Sequence, residues 1–166
     1  VSSSNRFSQS GVDPGVREIY LALTAKEIAL QVEETPNDAR YHLFKGVFSR
    51  TIGQYDRAIV DLNKAIELSP KKQTIMFELG ATYLNQKDFK SALEVFKKAY
   101  DLEPSYGDAA ILYGISAIYA GNNTLADQVF AGVSESALYR DDRLVSVLID
   151  VGRWPEVVKI FTFRIA

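Results

Sequence analysis

His42 is the only histidine in 166 residues, and no cysteine accompanies it. Zinc and iron centres of the common kinds draw on several imidazole or thiolate ligands, so this composition predicts no resident metal. A Ser-His-Asp relay would have to run through His42, which reads instead as a packing residue on a helix face. Two adjacent carboxylate pairs, Glu33-Glu34 and Asp141-Asp142, invite an acid–base reading. Neighbours in one chain segment do not face each other, and Asp141-Asp142 sits where a helix start favours anions, so capping is expected there. Asn122-Asn123-Thr124 fits a glycosylation acceptor and equally a helix cap, and the cap is preferred. No glycine-rich phosphate loop follows a strand pattern. The formal net charge is −2, and no basic run exceeds the pairs Lys71-Lys72 and Lys97-Lys98. That balance argues against a nucleic-acid partner. The chemistry-bearing residues therefore predict no enzyme, no cofactor and no nucleic acid.

The elements that position these residues are dictated by a repeat. Gly46, Gly80 and Gly114 recur every 34 residues, as do Ala58, Ala92 and Ala126, and Pro36, Pro70 and Pro104. A period of that length with small residues at fixed places predicts stacked helical hairpins, because one hairpin cannot bury its apolar face alone. The small residues let helices approach closely, and Tyr83, Phe96 and Phe130 fill the space between pairs. Pro70 and Pro104 cannot continue a helix and end the second helix of a hairpin. Ile52-Gly53-Gln54 and Ala120-Gly121-Asn122 read as the turns inside hairpins.

This register resembles the tetratricopeptide repeat, most cleanly in the stretch that holds Leu79, Gly80, Tyr83, Ala92, Phe96, Ala99 and Pro104. The resemblance implies an all-α fold, a right-handed superhelical solenoid of antiparallel helix pairs, each with a helix A and a helix B. About three regular repeats are expected, at 39–72, 73–106 and 107–134. A capping helix at 13–35 precedes them and a degenerate helix pair at 138–166 follows, so that 13–166 form a single domain. Residues 1–12 are serine-rich and expected to be disordered. In the first repeat His42, Lys45 and Ser49 stand where the family favours tryptophan, leucine and tyrosine. That helix is then less tightly packed, or the lysine carries its head out to water.

The resemblance also implies a function: a protein–protein interaction scaffold that binds a partner segment, preferably an apolar helix, in a concave groove. Groove positions map to Arg40, Leu43, Val47, Arg50 and Thr51 in the first repeat. The second repeat supplies Thr74, Phe77, Ala81, Leu84 and Asn85, and the third Asp108, Ile111, Ile115, Ile118 and Tyr119. Leu43, Val47, Phe77 and Ala81 occupy places where chaperone-binding members carry a carboxylate clamp, so a free acidic C-terminus is not the expected ligand. Phe77, Leu84, Ile111, Ile115 and Ile118 form an apolar stripe that either receives a partner helix or is already covered by neighbouring helices.

Two expectations concern the surroundings. The apolar run from Val157 to Ile165 packs inward or pairs with another copy, giving a homodimer through the terminal helices. Thr35-Pro36-Asn37-Asp38-Ala39-Arg40-Tyr41, Leu68-Ser69-Pro70-Lys71-Lys72-Gln73-Thr74 and Val151-Gly152-Arg153-Trp154 look like the repeat tails of bacterial O-antigen ligase or polymerase-like membrane proteins. The alternative reading is thus a soluble tail of a polysaccharide-assembly enzyme. The longest apolar stretch, Ala109 to Ala120, has 12 residues, short of the ~20 that a membrane span needs. With no secretion signal legible, a cytoplasmic location is the default expectation.

Overall fold

A computed structural model describes residues 13–166, so the disorder expected at 1–12 lies outside the described residues. All regular structure among the described residues is helical, as the repeat requires. In chain order the helices are α1 (Pro14–Glu34), α2 (Ala39–Thr51), α3 (Tyr55–Leu68), α4 (Gln73–Asn85) and α5 (Phe89–Leu102). They are followed by α6 (Gly107–Tyr119), α7 (Asn123–Phe130), α8 (Glu135–Arg140), α9 (Asp142–Asp150) and α10 (Trp154–Ile165). No described helix is long and apolar enough to cross a membrane.

Local chemistry sets the boundaries. The Asp13 carboxylate accepts from the amides of Gly15 and Val16, with Pro14 at the first helical position. Asp38 caps α2, Asp88 caps α5 and Asn122 caps α7 in the same manner. Asp141 accepts from the amides of Arg143 and Leu144, so the carboxylate pair at the start of α9 is a cap and not an acid–base couple. Inside the hairpins the chain reverses through a left-handed residue at Gly53 (φ +79°), Gly121 (φ +75°) and Gly152 (φ +75°). The second repeat places Lys87 (φ +62°) at that point, a side chain where its neighbours have none.

The repeated glycines sit under aromatic or branched side chains. A Cβ on Gly114 would lie 2.1 Å from the Phe130 ring, one on Gly80 2.5 Å from the Phe96 ring, and one on Gly46 2.6 Å from Cγ of Leu62. Each pair joins helix A to helix B of its own repeat, which is why glycine and a large residue recur together.

Two compact units divide the chain, with the dividing point inside α4 between Ile75 and Met76. In unit 1, α2 packs on α3 and α1 packs on α2. Ala58, Leu62 and Ala65 are fully buried there, and His42, Ser49 and Asp61 are buried with them. Lys45 turns its Nζ to the Asp61 carboxylate at 3.0 Å, so its head is held by the protein and is not simply carried out to water. His42 donates from Nε2 to the Pro36 carbonyl at 2.9 Å, and its Nδ1 lies 3.9 Å from Asp61.

Unit 2 has a contiguous apolar core. There α6 packs on α5 and α7, α9 packs on α6, and α10 packs on α8 and α9. Ile111, Ile115 and Ile118 share one buried cluster with Leu144, Val145, Leu148, Val157 and Ile160. Helix α8 has no counterpart in the sequence expectations, since six residues are too few to display a helical period. Helix α10 buries Val157 and Ile160 and leaves Trp154, Val158, Phe161 and Ile165 in solvent, so only one of its faces packs inward.

Candidate partner-binding site

The groove positions of unit 1 are polar at their ends and apolar in the middle. Arg40 is exposed, and its guanidinium grips the Asp38 carboxylate, with Nε 3.0 Å from Oδ1. That side-chain hydrogen bond, helped by the Arg40 amide, holds the Asp38 carboxyl down at about 2. Leu43, Val47 and Arg50 are half-buried, and Thr51 and Thr74 are exposed.

In unit 2 the second-repeat positions stay accessible. Phe77, Ala81 and Leu84 are half-buried and Asn85 is exposed. The Phe77 ring stacks on Tyr106, with centroids 6.2 Å apart and planes 20° apart. Tyr106 is 42% exposed and lies just before α6, off the A-helix positions, so the repeat register gives no signal for it.

The third-repeat positions differ from the stripe that the sequence permits. Ile111, Ile115 and Ile118 are 3–4% exposed, because α9 and α10 complete the core over this face of α6. They are core residues of unit 2, and a partner docking on the surface does not reach them. Polar residues mark the rim. Arg143 bridges Asp108 and Asp141. Burial pulls the Asp141 carboxyl up, and Arg143 with the amides of Arg143 and Leu144 outweighs that, leaving it below its usual range. Tyr119 stacks on Phe89 at 5.1 Å and donates its hydroxyl to Asp150 at 2.6 Å. Burial, reinforced by the Asp150 hydrogen bond, pushes the Tyr119 phenol up to about 12.

His42, the only imidazole in the sequence, is 8% exposed and bonded to the Pro36 carbonyl in unit 1. Among the described residues no three His, Asp or Glu side chains converge as a metal would need. What the geometry offers is an aromatic pair, two half-buried aliphatic positions and a charged rim, a surface suited to holding another chain.

Comparison with known proteins agrees with the repeat reading. Family profiles described as "TPR repeat" and "Tetratricopeptide repeat" match residues 50–87 and 74–106. The chain is 30% identical over 106 residues to the Homo sapiens "Protein SGT1 homolog", covering 64% of this chain and 29% of that one. It is 30% identical over 114 residues to the "Lipoprotein NlpI homolog" of Haemophilus influenzae, covering 69% of this chain and 36% of that one. The chain thus spans about a third of the length of these curated relatives. Among solved structures, MamA from Desulfovibrio magneticus RS-1 superposes with a TM-score of 0.68 at 17% identity, covering 96% of this chain and 89% of that one. YrrB, described as a TPR protein with an unusual peptide-binding site, superposes with a TM-score of 0.57 at 20% identity, covering 81% and 71%. At those identities the structural likeness speaks for the fold alone. None of the relatives described here lends support to the resemblance to O-antigen ligase tails.

Proposed function

We propose that this chain, which belongs to the tetratricopeptide repeat family, is a protein-interaction module that holds a segment of a partner protein and carries out no catalysis of its own. The observation that carries the reading is the Phe77–Tyr106 aromatic stack in unit 2, set beside half-buried Ala81 and Leu84. Half-buried aromatic and aliphatic side chains gain more from a partner's apolar residues than from water. Burial of the third-repeat isoleucines shortens the apolar surface to the second-repeat positions and leaves the Asp108–Arg143 pair as its polar rim. The partner segment is then an amphipathic helix presenting apolar residues three and four apart, with charge alongside. YrrB is described as having a peptide-binding site, and a peptide segment is the class of ligand proposed here. A displayed library of helical peptides selected on the whole chain tests this. Enriched peptides should carry that spacing and lose about tenfold or more in affinity on Phe77→Asp or Tyr106→Asp. Equal binding to wild type and to both variants, each checked for folding by circular dichroism, contradicts it.

A second contact surface supports self-association through the terminal helices. Trp154, Val158, Phe161 and Ile165 follow one another along the solvent side of α10 and are 58%, 64%, 48% and 86% exposed. Sedimentation velocity across a wide concentration range should show dimers that Phe161→Asp abolishes, and a strict monomer contradicts the pairing.

A further inference from the structure

Unit 1 contains an open cavity of about 500 Å³ that none of the groove positions lines. Its walls are Ala25 and Ile28 of α1, Phe48 of α2, Ile52 just after that helix, and Val60 of α3. Lys45, Ser49, Asp61, Gln54 and Arg57 supply its polar side, with the Arg57 guanidinium donating to the Gln54 side-chain oxygen at 2.9 Å. The sequence explains the space. Ser49 occupies the register place where the second repeat has Tyr83, and Lys45 the place of Leu79. The first repeat lacks a phenol ring where its neighbour has one packed against an apolar cluster. The volume lies within the range of small-molecule sites, which are mostly apolar with a few placed polar groups.

We infer that this cavity binds a small neutral phenol-class molecule, an aromatic ring bearing a hydroxyl donor. The ring matches Phe48, Ile52, Val60 and Ile28. The hydroxyl has an acceptor in the Asp61 carboxylate, whose side chain is only 9% exposed and faces Lys45 at 3.0 Å and His42 at 3.9 Å. A ligand carboxylate at this point would face Asp61 and be repelled, the Arg57 guanidinium on the same wall being engaged with Gln54, and a ligand ammonium would compete with Lys45, which already holds the Asp61 carboxylate. A neutral donor adds a hydrogen bond without disturbing the ion pair, and the Lys45 ammonium can lie against the ring face. This site is independent of the partner-binding reading, since it shares no residue with the groove.

Backbone-amide NMR titration of the whole chain with p-cresol tests it, with toluene as the same shape lacking the hydroxyl. Shifts are expected at Ala25, Phe48 and Ser49, with p-cresol binding about tenfold tighter than toluene, as a hydrogen bond to a charged acceptor requires. Ser49→Tyr refills the space with the protein's own ring and should abolish binding. In the Lys45→Leu/Asp61→Leu double variant the two probes should bind alike. Equal affinity of the two probes for wild type, or undiminished binding to a folded Ser49→Tyr chain, overturns the inference. Tighter binding of N-acetyl-tyrosine amide than of p-cresol overturns the small-molecule assignment in favour of a partner's tyrosine.

Discussion

In unit 2 the face of α6 is closed by apolar contact, with Ile111, Ile115 and Ile118 buried against α9 and α10. In unit 1 the corresponding helix α2 turns His42, Lys45 and Ser49 toward Asp61 and leaves a cavity beside them. The two helices share one repeat register, and both place glycine against a large residue of the following helix. One register thus tolerates opposite fillings. The glycine contact and the hairpin turn fix the helix pair, and the remaining positions are free to become core or site. A partly exposed ion pair next to a cavity contributes little to stability compared with a well-packed apolar filling.

The contrast can be broken most severely at Ile115. Ile115→Asp puts an unpaired carboxylate into a fully apolar cluster, and a loss of about 4 kcal/mol or more is expected from urea unfolding. If the variant stays folded at little cost, α6 is not covered as described. Gly114→Ala should cost about 2 kcal/mol, because its Cβ would meet an aromatic ring at 2.1 Å. Gly46→Ala meets an aliphatic side chain at 2.6 Å and should cost less, and denaturant midpoints decide the order. In unit 1, Lys45→Leu leaves the buried Asp61 carboxylate without its ammonium. The expected cost is about 2 kcal/mol, below that of a fully buried pair since the Lys45 side chain is 39% exposed. Adding Asp61→Leu should recover most of it in a double-mutant cycle. Lys87→Gly relieves a left-handed backbone and should stabilise by about 1 kcal/mol, seen as a higher Tm.

The smallest effect is read by titration. Tyr119 in the folded chain ionises near 12, above the ordinary phenol value. Its contribution to stability is therefore complete below pH ~10 and lost as pH rises through the folded value. Burial raises the Tyr113 phenol as well, so the ultraviolet phenolate signal should lose one of its late-titrating components in Tyr119→Phe and keep the other.

Much of this was legible beforehand. The glycine, alanine and proline periods dictate the helix pairs, and Asn122 and Asp141 mark helix starts where they are found. Coverage of the α6 isoleucines was not legible, because α8 to α10 leave the 34-residue register and apolar spacing alone does not say which neighbour a face meets. Tyr106 escaped for a related reason: it lies before α6, and its stacking on Phe77 is a long-range contact. The Lys87 turn was hidden because glycine, the usual marker of a left-handed residue, is absent there. The departures at His42, Lys45 and Ser49 were visible as residue types, but their convergence on Asp61 depends on how α2 and α3 pack.

The second-repeat face of unit 2 is proposed to receive a partner helix. The most direct test is amide chemical-shift mapping of a library-selected peptide on the whole chain. The account predicts perturbations centred on Phe77, Ala81, Leu84 and Tyr106, with Ala25 and Ser49 silent. A footprint that leaves Phe77 and Tyr106 unmoved would contradict it.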